Sequence, residues 1–240
     1  MTHFEGKSVR DHLKAARKKG AFATFELHGT ELPGYIFAAV DALKETAIAL
    51  MILWILFTPS SFKIFFLFSF SWLIWKTGRS AFLGWSRLER LHRLIEEERW
   101  EIQHNREEEK QELTALYKAK GLSGKLLEDV VSIFMSDDNR LLRLMLEEEM
   151  GLTLEVYEHP LKQCAGAFFG VVLSSAIFMG AWILHPLLGP MLASFSCISF
   201  ATFVAAKKEQ NRILEALVWT LSLSSFSLLA LYFLKEALFS

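Results

Sequence analysis

The sequence predicts an all-α, polytopic membrane protein with about five transmembrane helices and a helical insert between the second and third. Apolar residues make up 52% of the 240 positions, more than one soluble core of this length encloses, so much of the chain must face lipid. Charge is also segregated. The net charge of -1 is the balance of a basic start, a middle dense in both signs, and a last third almost without charge.

Residues 1–33 form a basic lead. Lys7 to Lys19 reads as an amphipathic helix, with Val9, Leu13 and Ala16 on one side and Lys14, Arg17, Lys18 and Lys19 around it, suited to an anionic inner leaflet. The first apolar run begins only near Leu32 and no cleavage-like sequence follows it, so no removable signal peptide is expected. Residues 34–85 read as a transmembrane hairpin: Gly34 to Phe57, a turn at Thr58-Pro59-Ser60-Ser61, then Phe62 to Trp85. Residues 161–240 supply three more spans, about Cys164 to Leu184, Leu187 to Ala206 and Ile213 to Leu234, separated by His185-Pro186 and by Lys207 to Arg212. Lys and Arg concentrate in the lead, the insert and the loop after the fourth span, which places the N-terminus and the insert in the cytosol.

The insert, residues 86–160, has helical periodicity and few turn signals. One long charged helix to Ala119 is expected, then a break at Gly121, an N-cap at Ser123, and two amphipathic pieces separated by Asp137-Asp138-Asn139. Leu126, Leu127, Val130, Val131 and Phe134, then Leu141, Leu144, Met145 and Met150, give these pieces an apolar face.

Within the charged run, Glu98 and Glu101 form an i,i+3 pair, and Glu109 and Glu112 repeat it eleven residues later, three helical turns with little angular drift. On one continuous helix all four carboxylates point the same way, and a hairpin would also bring them together, at different distances. Met145 and Glu149 form an i,i+4 pair on the last insert helix. Several glutamate oxygens with one thioether suit a labile divalent transition metal such as Fe²⁺ or Mn²⁺, since thioethers bind Mg²⁺ and Ca²⁺ poorly. The same pattern, with Arg93, Arg99, Arg106 and Lys110 interleaved, also describes a solvated, salt-bridged surface, and a lone Met145 also describes core filling.

In the first span, Asp41, Lys44 and Glu45 lie deep enough to be costly unless they face a cavity or one another. The alternative is a span that starts near Leu43 and leaves Asp41 in the interface. Lys76 and Arg79 stand in the second span, and Asp41 and Lys76 fall at similar depths, where they could pair. Cys164 and Cys197 are isolated in apolar runs, and His28, His92, His104 and His185 have no metal-ligand spacing. No phosphate-binding glycine loop, nucleophile elbow or HExxH pattern occurs, so neither enzymatic activity, a permanent cofactor nor a nucleic-acid partner is expected.

Glu109 to Leu122 reads E-x-x-E-L-x-x-x-Y-x-x-x-G-L, and Glu149 to Leu152 reads E-x-G-L. In these segments, and in the number and order of its spans, the chain resembles the vacuolar iron transporter (VIT) family. The resemblance implies a five-span homodimer whose cytosolic helical domain binds metal. Its two E-x-x-E pairs fall on Glu98 with Glu101 and on Glu109 with Glu112, and its M-M-x-x-E element falls on Met145, Leu146 and Glu149, one methionine short. The family's intramembrane V-D-G matches Val40-Asp41-Ala42, with the glycine replaced. Where the family has an acidic residue and a methionine along the second span, this register gives Phe68 and Lys76.

The implied function is a transporter exporting Fe²⁺, with Mn²⁺ second, from the cytosol in exchange for protons. Asp41 and Glu45 would lie on its path, and Lys76 would be a departure from it. Its membrane would be the plasma (inner) membrane in a bacterium or a vacuolar-type membrane in a eukaryote. The alternative is a membrane-anchored metal-binding or scaffold protein with a degenerate second span. A third reading is a structural protein whose insert recruits a soluble partner.

Overall fold

A computed structural model describes residues 34–57, 62–148 and 159–239, all helical or in short connections, with no strand among them. The expected Lys7–Lys19 helix, the Thr58–Ser61 turn, Glu149 and Met150 lie outside the described residues. The chain divides into two compact units. One contains Ser86–Tyr157, and the other joins Gly29–Trp85 to Glu158–Ser240.

In the second of these units, α1 (Gly34–Phe57) ends one residue before Thr58-Pro59, where proline disfavours helical geometry in the residue preceding it. Helix α2 (Phe62–His104) does not stop at Trp85, because the amphipathic sequence that follows continues the apolar one without a breaker. Helix α6 (Pro160–Leu184) starts with proline at its first turn, and His159 Nδ1 accepts a hydrogen bond from the Leu161 N–H at 3.3 Å. Helix α7 (Gly189–Lys208) ends on two lysines that complement its carbonyl terminus, and α8 (Ile213–Phe239) closes the chain.

Among the described residues, three helices are long and apolar enough to cross a membrane: Pro160–Leu184, Gly189–Lys208 and Ile213–Leu238. The other two expected spans differ in carrying charge, Asp41, Lys44 and Glu45 in α1 and Lys63, Lys76 and Arg79 in α2.

Small residues let α1 and α6 pack backbone to backbone. A Cβ added at Gly166 would lie 2.0 Å from the Tyr35 carbonyl oxygen, and one at Gly170 would lie 2.3 Å from that of Ala39. Gly166, Gly170 and buried Ser174 thus form a small-xxx-small seam, the arrangement that drives helix association where lipid removes the hydrophobic incentive. Val40, Leu43 and Ala47 pack against Cys197, Ile198 and Ala201 of α7. Toward the other end of α1, Leu50 and Met51 join Phe65, Phe178 and Leu228. There Lys235 Nζ donates to the Ile55 carbonyl at 2.8 Å, a cation on the final turn of α1. Most of the large apolar side chains of α8, including Trp219, Phe226 and Phe233, face outward, as lipid contact requires.

The other unit packs the charged end of α2 with α3 (Arg106–Ala119), α4 (Gly124–Met135) and α5 (Asp138–Glu148). Leu91, Leu94 and Ile102 meet Leu113, Leu127, Val131, Leu141, Met145 and Leu146 in one core. The single long helix expected to Ala119 is broken at Asn105 (φ −122°, ψ 39°). Its N–H still bonds the Glu101 carbonyl, and its own carbonyl accepts from Glu108 and Glu109, so one helix stops and the next starts on the same residue. At the far end of α3, Gly121 takes φ 96°, with bonds from its N–H to Lys118 and from Leu122 to Tyr117. This is a Schellman cap, and only glycine adopts that φ without strain.

Ser123 occupies the expected N-cap position of α4 without a side-chain bond, while Asp137 Oδ1 caps α5 by accepting from the N–H groups of Asn139 and Arg140. Arg106 fixes the corner, bonding Asp138 Oδ1 at 2.6 Å and the Met135 carbonyl at 2.5 Å. Leu126, expected on the buried face, is instead 62% exposed, because Leu127 and Val131 take the inward positions.

Identical glycine substitutions should have opposite effects along α6. Gly170→Ala has no room and should destabilise by about 1–3 kcal/mol. Gly180→Ala meets nothing within 4 Å and should be neutral or slightly stabilising. Thermal unfolding of both variants in detergent checks this, and equal midpoints would contradict the close α1–α6 packing.

Candidate functional site

The insert carries the first group of candidates. Leu91, Leu94, Glu98 and Ile102 follow one another at helical spacing and are all buried, so Glu98 occupies the core stripe of α2, not its solvated side. On α3 the buried stripe is Glu109, Glu112, Leu113 and Leu116. Glu98 is 2% exposed, Glu109 0% and Glu112 1%, whereas Arg93, Arg99, Arg106 and Lys110 are exposed. Glu101 is half-buried. Glutamate is rarely this enclosed, because its desolvation must be offset by specific partners.

The break at Asn105 puts the two E-x-x-E pairs on different helices, so the four carboxylates do not line one continuous face. Met145 is buried in the same core at 1% exposure, and Glu149 lies outside the described residues. Among the described residues, no three His, Cys, Asp or Glu side chains are grouped so as to hold one metal ion.

Sequence reasoning passed over Glu108, which is half-buried with Oε2 enclosed and without a hydrogen-bond partner. Its signal was the i,i+4 spacing to Glu112. Beside these residues, Tyr117 stacks on Phe134 with ring centroids 5.8 Å apart, and Lys120 lies over the Tyr117 ring while pairing with Glu148. Burial pushes the Tyr117 phenol above its usual range, Lys120 opposes that shift and Glu148 adds to it. In the Y-x-x-x-G-L segment, Tyr117 and Leu122 are the C3 and C″ residues of the Schellman cap, so that part of the motif is structural.

The membrane-helix unit holds the second group. Asp41 and Glu45 share a face of α1 at i,i+4, and Lys76 of α2 reaches both: Nζ is 2.5 Å from Glu45 Oε2 and 3.4 Å from Asp41 Oδ2. The structure therefore pairs Asp41 with Lys76 and makes Glu45 the nearer partner. Lys76 is 5% exposed, against 37% for Asp41 and 42% for Glu45, so the ammonium sits behind two carboxylates that are still open on their other side.

One turn along each helix a second rung forms. Trp72 Nε1 donates to Thr46 Oγ1 at 3.1 Å, and Thr46 donates to the Ala42 carbonyl. Neither residue stood out in the sequence, because an indole and a hydroxyl in a span also describe an interfacial anchor and a small packing residue. Phe68 stacks on Trp72, and Arg79 is exposed. Three of the described histidines do local work: His159 caps the start of α6, His185 accepts from the Leu188 N–H in the turn between α6 and α7, and His104 stacks on Trp100. Both cysteines are free thiols.

The family model of the VIT family matches residues 84–234. The chain belongs to the VIT family. VIT-family proteins are membrane metal-ion transporters, not enzymes, and the apolar helices agree that this is a membrane protein. No curated protein and no solved structure matches the chain significantly. The matched stretch contains all the insert candidates, from Glu98 to Glu149, and begins after Asp41, Glu45 and Lys76. The family assignment therefore bears directly on the insert and not on the charged cluster between α1 and α2.

Removing the ammonium leaves two neighbouring carboxylates without their shared cation. Lys76→Met should lower the unfolding midpoint in detergent, and adding Glu45→Gln should restore part of the loss, with a coupling of about 1 kcal/mol or more in the double-mutant cycle. Additive effects of the two substitutions would argue against the ion pair.

Proposed function

We propose that this chain is a divalent transition-metal transporter that moves Fe²⁺, and secondarily Mn²⁺, out of the cytosol in exchange for protons, working as a homodimer with five spans per copy. The observation that carries the reading is the burial of Glu98, Glu109 and Glu112 beside Met145 in the insert of a VIT-family chain. Three carboxylates enclosed in one small helical unit concentrate negative charge where the dielectric is low. A divalent cation has enough charge to serve several carboxylates at once, and the Met145 thioether favours a transition metal over Mg²⁺ or Ca²⁺. The family's M-M-x-x-E element adds Glu149 to the proposed donors.

In this scheme the insert captures the ion and the spans conduct it. Asp41 and Glu45 receive the cation within the membrane, and exchange of protons for metal on these carboxylates couples the two fluxes. The concentration of Lys and Arg in the lead, the insert and the α7–α8 loop supports a cytosolic N-terminus and insert. The membrane would be the plasma (inner) membrane of a bacterium or a vacuolar-type membrane of a eukaryote.

A second reading has one observation in its favour. Lys76 already holds the position of a cation against Asp41 and Glu45, as expected of a membrane-anchored metal-binding or scaffold protein that no longer transports.

Two measurements test the scheme. Gln at Glu98, Glu101, Glu109 and Glu112 should weaken Fe²⁺ or Mn²⁺ binding at least about tenfold, as expected when the charged oxygen donors of a divalent-metal site are replaced by neutral amides. Unchanged affinity would remove the capture role. In sealed liposomes containing a metal-quenched dye, wild-type protein should give saturable quenching that responds to a pH gradient, and Asp41→Asn should abolish it with insert binding intact. Metal binding without flux in the wild type would favour the scaffold reading.

A further inference from the structure

Asp41 faces a second environment besides Lys76. Between α1, α7 and the start of α8 lies a cavity of about 190 Å³, lined on its polar side by Asp41, Lys44, Thr202, Glu209, Asn211 and Thr220. Its apolar lining includes Ala205 and Ala216, whose small side chains leave the space open. Cavities in apolar surroundings stay dry, whereas one with several polar groups and this volume holds water, here about six molecules at bulk density.

The rim is built by the connection between α7 and α8. Gln210 takes the left-handed conformation (φ 57°), and the Asn211 N–H closes back on the Ala206 carbonyl at 2.9 Å. The Asn211 side chain then donates to Glu209 Oε2 at 2.8 Å and steadies that carboxylate. The lining thus has two carboxylates and one ammonium, Lys44, a balance that favours cations over anions.

We propose that this cavity is a hydrated, cation-admitting vestibule that connects Asp41 to the water on the side of the α7–α8 loop, with Glu209 as its rim carboxylate. Asp41 then exchanges with water from the α7–α8 side while Lys76 holds it from the α2 side. The vestibule stands on its own geometry. Its use as an access route for protons or metal ions rests on the transport reading above.

Charge-selective labelling of the full chain in lipid nanodiscs tests it, in a background of Cys164→Ser and Cys197→Ala. Ala205→Cys and Ala216→Cys report on the cavity, and Leu223→Cys, on the outward face of α8, is the control. Small thiosulfonates with cationic and anionic head groups should modify both cavity cysteines at least about tenfold faster than the control, the cationic reagent being several-fold preferred beyond its ratio for a free thiol. Glu209→Gln should reduce that preference. Cavity cysteines no faster than the control would overturn the vestibule, and fast labelling without charge preference would overturn its cation-admitting role. The readout does not require transport, so expected labelling in a chain that moves no metal would count against the transport reading and leave the vestibule standing.

Discussion

The cost of taking carboxylates out of water constrains both units of this protein. In the insert, Glu98, Glu109 and Glu112 occupy positions that a small helical bundle would normally give to leucine, on the same stripes as Leu94, Ile102 and Leu113. A carboxylate at such a position costs more to bury than a leucine would, and that cost has to be offset by specific partners. The helix ends of the same unit are fixed by other residues. The Schellman cap at Gly121, the Arg106 clamp on the α4–α5 corner and the Asp137 cap each hold a helix end with backbone hydrogen bonds.

The other unit meets the same constraint by pairing. Asp41 and Glu45 share one ammonium, and the neighbouring Trp72–Thr46 bond fixes the register of α1 against α2 at that level. Close approach on the other side of α1 depends on the absence of side chains at Gly166 and Gly170. Helix α1 is therefore held between a polar contact and a backbone contact, and neither depends on the hydrophobic effect, which is weak between helices in lipid.

Sequence periodicity was a good guide where a physical signal was local. Gly34–Phe57 was read with its observed bounds because glycine, the apolar run and the proline after it mark both ends. Glu98, Glu109 and Glu112 stood out by their spacing among many solvated glutamates, whereas Glu101, paired with Glu98 by the same spacing, lies beside the core stripe and is half-buried. The break at Asn105 was missed because no glycine or proline marks it and the residues on both sides are good helix formers. Glu45 as the nearer partner of Lys76 was also beyond reach, because helix rise gives depth but not the rotation of one helix against another. The cavity around Glu209 was invisible for the same reason, as its lining comes from segments about 170 residues apart in sequence.

The family match and the charged cluster together sharpen what distinguishes this chain. The matched region starts at residue 84 and takes in the unit that buries three carboxylates, whereas the α1–α2 contact with Lys76 lies before it. Two carboxylates and one ammonium leave that cluster with one negative charge. A divalent ion that added to it with Lys76 in place would reverse its sign to one positive charge, in a setting where unpaired charge is expensive. A metal ion that bound these carboxylates would therefore have to displace the Lys76 ammonium or be matched by further negative charge, and Glu209 is a second carboxylate in the lining of the cavity that Asp41 faces.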